Sequence, residues 1–149
     1  MIYKNKLTKH EVYQAIKFER DFPSLVRTAQ GETRGGTNRN AMNIMHTILN
    51  RVQKQRDVWG LNVKDVCLKK NSKGIHQYSY WDKTKLKFLS YYYIDRLICP
   101  TYDAIRNWSN GLDYVKGATH YHTHDTYPDW AKGKKPCYSD DMHKFYEVH

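Results

Sequence analysis

Residues 25–52 read LVRTAQGETRGGTNRNAMNIMHTILNRV, and their reading decides the rest of the chain. A short apolar run, Leu25, Val26 and Ala29, leads to Gly31-Glu32, and Gly35-Gly36 then turns the chain. Beyond the turn, Ala41, Ile44, Met45, Ile48, Leu49 and Val52 recur three or four residues apart, which predicts one apolar stripe on a helix over Thr37–Gln53. Thr37 stands where its hydroxyl can cap the first turn. A carboxylate, Glu32, is thereby fixed at a helix end just before the helix expected to be most buried. Desolvation on one side is expected to raise its pKa above the roughly 4.3 of a free glutamate, so that it can act as a general acid.

Working outward, 149 residues suffice for one domain with one core, and residues 1–149 are read as such. No apolar run approaches the roughly 18 residues of a membrane span, so no membrane insertion is expected. The basic N-terminus lacks an apolar segment behind it, and no secretory signal peptide is expected. A formal net charge of +10 favours an anionic partner: nucleic acid, an acidic envelope polymer or a membrane surface. The charge is spread along the chain and no recognition motif accompanies it, so nucleic-acid binding is kept only as the rival reading. Cys67, Cys99 and Cys137 are odd in number and widely spaced, which argues for free thiols rather than a disulfide framework or a zinc ribbon. Thirteen tyrosines and four tryptophans suit either a core or a groove that stacks on sugars or bases.

Thr8 and Glu11 form a capping box that opens a first helix ending before Pro23. Asp21 or Ser24 is expected to cap a second, running to Glu32. The stretch from Arg56 to Gln77 reads as loop, with one helical turn at Val63–Leu68. Gln77-Tyr78-Ser79-Tyr80-Trp81 alternates polar and aromatic residues, as a strand or as an irregular cleft wall. Thr84–Leu97 is expected to be helical, and Pro100-Thr101 to start another helix that Asn110-Gly111 ends. Val115–His124 has β character, with His143–Val148 as a strand pairing back onto it.

Six elements then occur in a recognisable order. They are Gly31-Glu32-Thr33-Arg34-Gly35; Leu49-Asn50-Arg51-Val52; Gln77 to Trp81; Gly117-Ala118-Thr119-His120-Tyr121-His122; Pro128-Asp129-Trp130; and His143-Lys144-Phe145-Tyr146. From about Leu25 to Tyr146 the chain resembles the cell-wall hydrolase family typified by the catalytic domain of spore cortex-lytic enzymes. The resemblance implies an α+β, mostly α, lysozyme-like domain with a small β element in the last third. It implies an enzyme that cleaves the glycan strands of bacterial peptidoglycan, as a lytic transglycosylase or a muramidase-type endolysin, with no cofactor and no catalytic metal. A monomer is expected. The strong positive charge and the lone catalytic domain suggest a bacteriophage lysin or virion-associated protein, held in the host cytoplasm until released to the wall. A non-catalytic wall-binding or virion protein that keeps the fold is the remaining alternative.

The resemblance carries the catalytic role onto Glu32 and substrate contacts onto Tyr78, Tyr80, Trp81, Thr119, His120, Tyr121, His122 and Trp130, with Tyr127 a further stacking candidate. His120, His122 and His124 alternate and could be read as a metal site, but the family motif requires none. The chain departs from the family at one point. The usual motif has a second glutamate four residues after the first, and here that position is Gly36. A lytic transglycosylase can work with one carboxylate, because the muramic acid 6-hydroxyl attacks intramolecularly and needs no positioned water. Asp57, Asp65, Asp82, Asp125 and Asp129 stand as alternatives for a second carboxylate. The site is expected as a cleft with Tyr80 or Trp81 on one side, His120 and Tyr121 on the other, and Arg34 pointing away to brace the loop.

Overall fold

A computed structural model describes residues 6–83 and 91–149, and for residues 83 and 91–94 the backbone alone. Six helices come first: α1 (Lys9–Ala15), α2 (Phe18–Glu32), α3 (Asn38–Lys54), α4 (Val63–Leu68), α5 (Tyr80–Lys83) and α6 (Tyr91–Ser109). Three short strands follow: β1 (His120–Thr123), β2 (Tyr138–Ser139) and β3 (His143–Tyr146). The class is α+β with helices dominant and the sheet in the last third, as the sequence led one to expect.

The core is built on α3. Its apolar stripe is sealed, with Ala41, Ile44, Met45, Ile48 and Leu49 at zero exposure, because α2, α4 and α6 all pack on it. Thr37 caps this helix in a box with Asn40, and Gln55 ends it in the left-handed region at φ 51°. α1 opens with the Thr8–Glu11 capping box.

Two prolines did not break helices where breaks were expected. α2 starts at Phe18, with Lys17 at its N-cap, and passes through Pro23. Asp21 is the reason: its carboxylate accepts from the N–H of Lys17 at 2.8 Å and from that of Lys64 on α4 at 3.1 Å. That clamp holds the first turn in helical form, so the proline removes one hydrogen bond without ending the helix. Likewise α6 runs unbroken through Pro100. Leu97, Thr101, Ala104, Ile105 and Trp108 form one buried face that spans the proline, and burial of that face outweighs the lost bond. Of the helix expected over Thr84–Leu97, the part from 84 to 90 lies outside the described residues. Gly111, at φ 95°, sits just beyond the end of α6.

β3 lies in the middle of the sheet, antiparallel to β1 on one side and β2 on the other. The β1–β3 register sets His120 against Tyr146, Tyr121 against Phe145, His122 against Lys144 and Thr123 against His143. The extended run expected from Val115 is shorter than that. Val115–Thr119 forms turns instead, with Lys116 and Gly117 at φ 53° and 84°, and Asp113 accepts from the N–H groups of Val115 and Gly117. Gln77–Trp81 is no strand: an irregular stretch leads into α5, which makes the cleft-wall alternative the right one. Among the described residues, no helix is long and apolar enough to cross a membrane.

Candidate active site

The end of α2, the irregular stretch before α5 and the sheet enclose a cavity of about 720 Å³. Its wall includes Glu32, Tyr78, His120, Tyr121, His122 and Trp130, all expected from sequence. Among the described residues lining it, Glu32 is the sole carboxylate.

Glu32 is half-buried at the last position of α2. The backbone N–H of Tyr80 donates to its Oε1 at 3.3 Å. Gly31 explains how Tyr80 comes so close: a Cβ at position 31 would stand 2.0 Å from the Tyr80 ring, so only glycine admits this contact. From the sheet side Tyr121 lies close enough to Glu32 to feel its charge. Burial first, and then the negative charge of Glu32, hold the Tyr121 pKa well above its ordinary value. The phenol therefore stays a neutral hydrogen-bond donor.

The histidines of β1 are also held neutral or in one tautomer. Burial, followed by the positive charge of Arg51, pushes the His120 pKa down to about 3. Its Nδ1 meets the Thr119 hydroxyl at 2.9 Å, and its ring lies edge-on between Trp59 and Trp130. His122 places Nδ1 2.8 Å from the Thr123 carbonyl, so that nitrogen carries the hydrogen, and Nε2 accepts from the Tyr146 hydroxyl at 2.8 Å. His124 turns elsewhere, to the Asp140 carbonyl at 2.7 Å. Among the described residues, no group of three or more His, Cys, Asp or Glu side chains is placed to hold a metal.

Three expected contact residues stand behind the wall rather than on it. Tyr80 is buried against Gly31 and offers Glu32 its backbone. Trp81 donates from its indole to the Thr28 hydroxyl at 3.0 Å and packs on the core. Thr119 is fully buried, and its hydroxyl accepts from the N–H of Val148. The missing side chain at Gly31, inside α2, lets the Tyr80 ring pack inward, and the aromatic pattern carried no sign of that. Arg34 is exposed, with its guanidinium 5.8 Å from the centre of the Tyr80 ring.

The alternative second carboxylates are placed elsewhere. Asp57 and Asp65 border a separate hollow. Asp82 accepts from the backbone and ring of His76. Asp125 takes the Thr123 hydroxyl and Asp129 the Lys132 ammonium. Position 36 itself has no room: a Cβ there would lie 2.6 Å from Met142 Sδ and 2.8 Å from Asn40 Oδ1.

The wall residues that sequence reasoning missed include Arg51, Trp59, Gln77 and His143. Arg51 is nearly buried and ties the frame to the sheet, donating to the Thr119 carbonyl and to Gln77 Oε1, each at 2.7 Å. A signal existed for it, since Arg51 lies three residues after Ile48 on a stripe that is otherwise apolar. A charge at such a position needs buried partners.

Comparisons with curated proteins and with solved structures find no match. A family model described as cell wall hydrolase matches residues 35–146, beginning just past Glu32 and ending at the last residue of β3. The match takes in α3, the irregular wall and the whole sheet, well over half of the sequence, and on that ground the chain belongs to the cell wall hydrolase family.

Proposed function

We propose that the cavity holds a peptidoglycan glycan strand and that Glu32 cleaves it by general acid–base catalysis. The observation that carries this is a single half-buried carboxylate at a helix end, facing aromatic rings and neutral hydrogen-bond donors across a cavity. A glutamate at the end of a helix opposite a small antiparallel sheet is also what the lysozyme-like resemblance calls for. Glu32 protonates the leaving glycosidic oxygen. His120 and His122 border the sugar's N-acetyl and hydroxyl groups, while Tyr78, Tyr121 and Trp130 supply ring surface. Thr119, Tyr80 and Trp81 act by holding these groups in place.

We favour a lytic transglycosylase over a hydrolase. With one carboxylate at the cavity, an internal nucleophile, the muramic acid 6-hydroxyl, gains proximity that a free water would lack. The phage-lysin reading belongs to the same proposal, supported by the +10 charge, which draws the protein to anionic envelope material. Cells expressing the protein should then lyse only when the membrane is permeabilised; lysis without that help would end this part of the reading.

The direct test is digestion of purified peptidoglycan, with DNA as a parallel substrate. Muropeptides with 1,6-anhydro ends are expected, and reducing ends would make the enzyme a hydrolase. No release with tight co-sedimentation would make it a binder, and cleavage of DNA would overturn the substrate class. Glu32→Gln keeps shape and hydrogen bonding but cannot transfer the proton. It should lose activity by at least the ~10²–10⁴ of acid–base assistance, with wall binding and melting temperature unchanged.

A further inference from the structure

Glu32 is not alone in the cavity as a group able to take a proton. His143, the first residue of β3, lines the same wall while being almost wholly buried, at 1 % exposure. Its ring meets Tyr121 edge-on, with centroids 5.0 Å apart, and Tyr121 in turn neighbours Glu32, whose charge it feels. Glu32 and His143 thus flank one tyrosine.

The two ring nitrogens of His143 differ. Nδ1 is sealed from solvent, makes no hydrogen bond, and lies 4.0 Å from Asp140 Oδ1. A carboxylate at that range favours the tautomer with the hydrogen on Nδ1. Nε2, which is not sealed in this way and has no hydrogen-bond partner among the described residues, is then left with a lone pair on the cavity side.

Asp140 is fixed without help from the His143 ring. Its Oδ1 accepts from the N–H groups of Met142 at 2.8 Å and His143 at 2.7 Å, and its Oδ2 accepts from Asn43 on α3 at 2.9 Å. Asp141 is held by Asn40 at 2.7 Å. The same turn brings Met142 against Gly36, filling the space that a side chain at position 36 would need. The absent glutamate and the Asp140–His143 pair are therefore parts of one piece of packing.

We propose that His143, oriented by Asp140, is the second catalytic residue of this site, a neutral base that takes the proton of the attacking hydroxyl. This rests on the glycan-cleavage reading and divides its chemistry between two groups. As Glu32 gives its proton to the glycosidic oxygen, the bond from that oxygen to the anomeric carbon breaks. The attacking hydroxyl oxygen bonds to the same carbon and its proton passes to Nε2. Glu32 ends as carboxylate and His143 as imidazolium beside Asp140, and proton exchange through solvent restores both. Burial lowers the His143 pKa below its ordinary 6.5, the largest influence; Asp140 and Asp141 oppose this, while His124 and His122 add to it. The ring is therefore neutral, and able to accept, near neutral pH.

The test is kcat against pH on soluble glycan-strand fragments. If Glu32 worked alone, starting protonated, the rate would stay level as pH falls. The dyad predicts a bell, with an acid limb below pH 6.5 where His143 gains its proton. His143→Gln should lower kcat about 100-fold, leave KM within about threefold, and abolish the acid limb; added imidazole should restore part of the activity of His143→Ala. A level acid side in the unaltered protein overturns the proposal, and this holds even if the variants do not fold. So does a folded His143→Gln protein with kcat within threefold of the unaltered one, or one that keeps the limb. If Glu32→Gln is inert while His143→Gln is fully active, the proposal falls and the glycan-cleavage reading stands. If the unaltered protein cleaves no glycan, both fall.

Discussion

The two walls of the cavity are made in different ways. The wall carrying Glu32 rises from helices packed around a large apolar cluster, with α3 at its centre. The opposite wall is a three-stranded sheet whose short strands are held by named polar contacts: Arg51 to the Thr119 carbonyl, Asn50 to the Ala118 carbonyl, and His122 to the Tyr146 hydroxyl. Apolar packing is tolerant of the identity of any one side chain, provided that volume is kept. A buried polar network is not, because each member leaves its partner unsatisfied when it is lost. The helical wall should therefore decide stability and the sheet wall should decide recognition.

The largest expected effect tests the first half of that statement. Ile48 has no exposed surface, and Ile48→Ala should cost about 2–5 kcal/mol in urea unfolding. The surviving folded fraction should keep its kcat/KM, since Ile48 does not line the cavity. A loss below about 1 kcal/mol would mean that α3 is not the centre of the core.

The same contrast governs how much was legible in the sequence. The stripe from Ala41 to Val52 repeats with helical period because every one of those residues faces one apolar surface, so α3 was readable to within a residue of its ends. The place of Glu32 at a helix end was readable because glycines and the Thr37 cap follow it. On the sheet side His120, Tyr121, His122 and Trp130 were readable too, but His143 and the Arg51 that anchors the sheet were not. Arg51 gains its place through Thr119 and Gln77, and the Asp140 beside His143 is held by Asn43 of α3, contacts between residues far apart in sequence. Period and local propensity carry no trace of such pairings. Tyr80 and Trp81 were misplaced for a related reason: the alternating pattern ignored Gly31, whose missing side chain lets Tyr80 turn inward.

Gly31 couples the packing of Tyr80 to the position of Glu32, so its alteration should affect stability and activity at once. A methyl group in Gly31→Ala would meet the Tyr80 ring at 2.0 Å. Relief of such overpacking typically costs about 1–3 kcal/mol. It would also move the N–H that reaches Glu32, so a loss of kcat of about tenfold is expected beside the drop in melting temperature, on the scale of one lost hydrogen bond. Full activity in this variant would show that Tyr80 has no part in holding the carboxylate.

Trp130 offers the converse. It is part of the sheet wall, half-buried, with its ring against His120, His122 and Tyr146. Trp130→Ala should raise KM for glycan fragments about tenfold, equivalent to about 1.4 kcal/mol of ring contact. Its melting temperature should fall less than that of Ile48→Ala. An unchanged KM with a large loss of stability would reverse the assignment of the two walls.

The smallest effect is read from pH. His120 is held neutral by burial, with its pKa brought from 6.5 to about 3. Between those values the unfolded chain takes up a proton that the folded chain refuses, so stability falls as pH falls through this window and is fully present above pH 6.5. His143 is shifted in the same direction and shares the upper part of the window. Asp21, Asp113 and Asp140 have pKa values lowered from 3.8, so their contributions are lost only at more acid pH. Comparing melting temperatures from pH 7 to 5 with and without His120 therefore isolates its share. His120→Gln removes this group and should flatten the decline by a few degrees, on the scale of about 1 kcal/mol for a domain of this size. Parallel curves for the two proteins would mean that His120 takes up a proton as readily folded as unfolded. The sheet wall would then be open to water, and the neutral donors invoked for sugar recognition would carry charge.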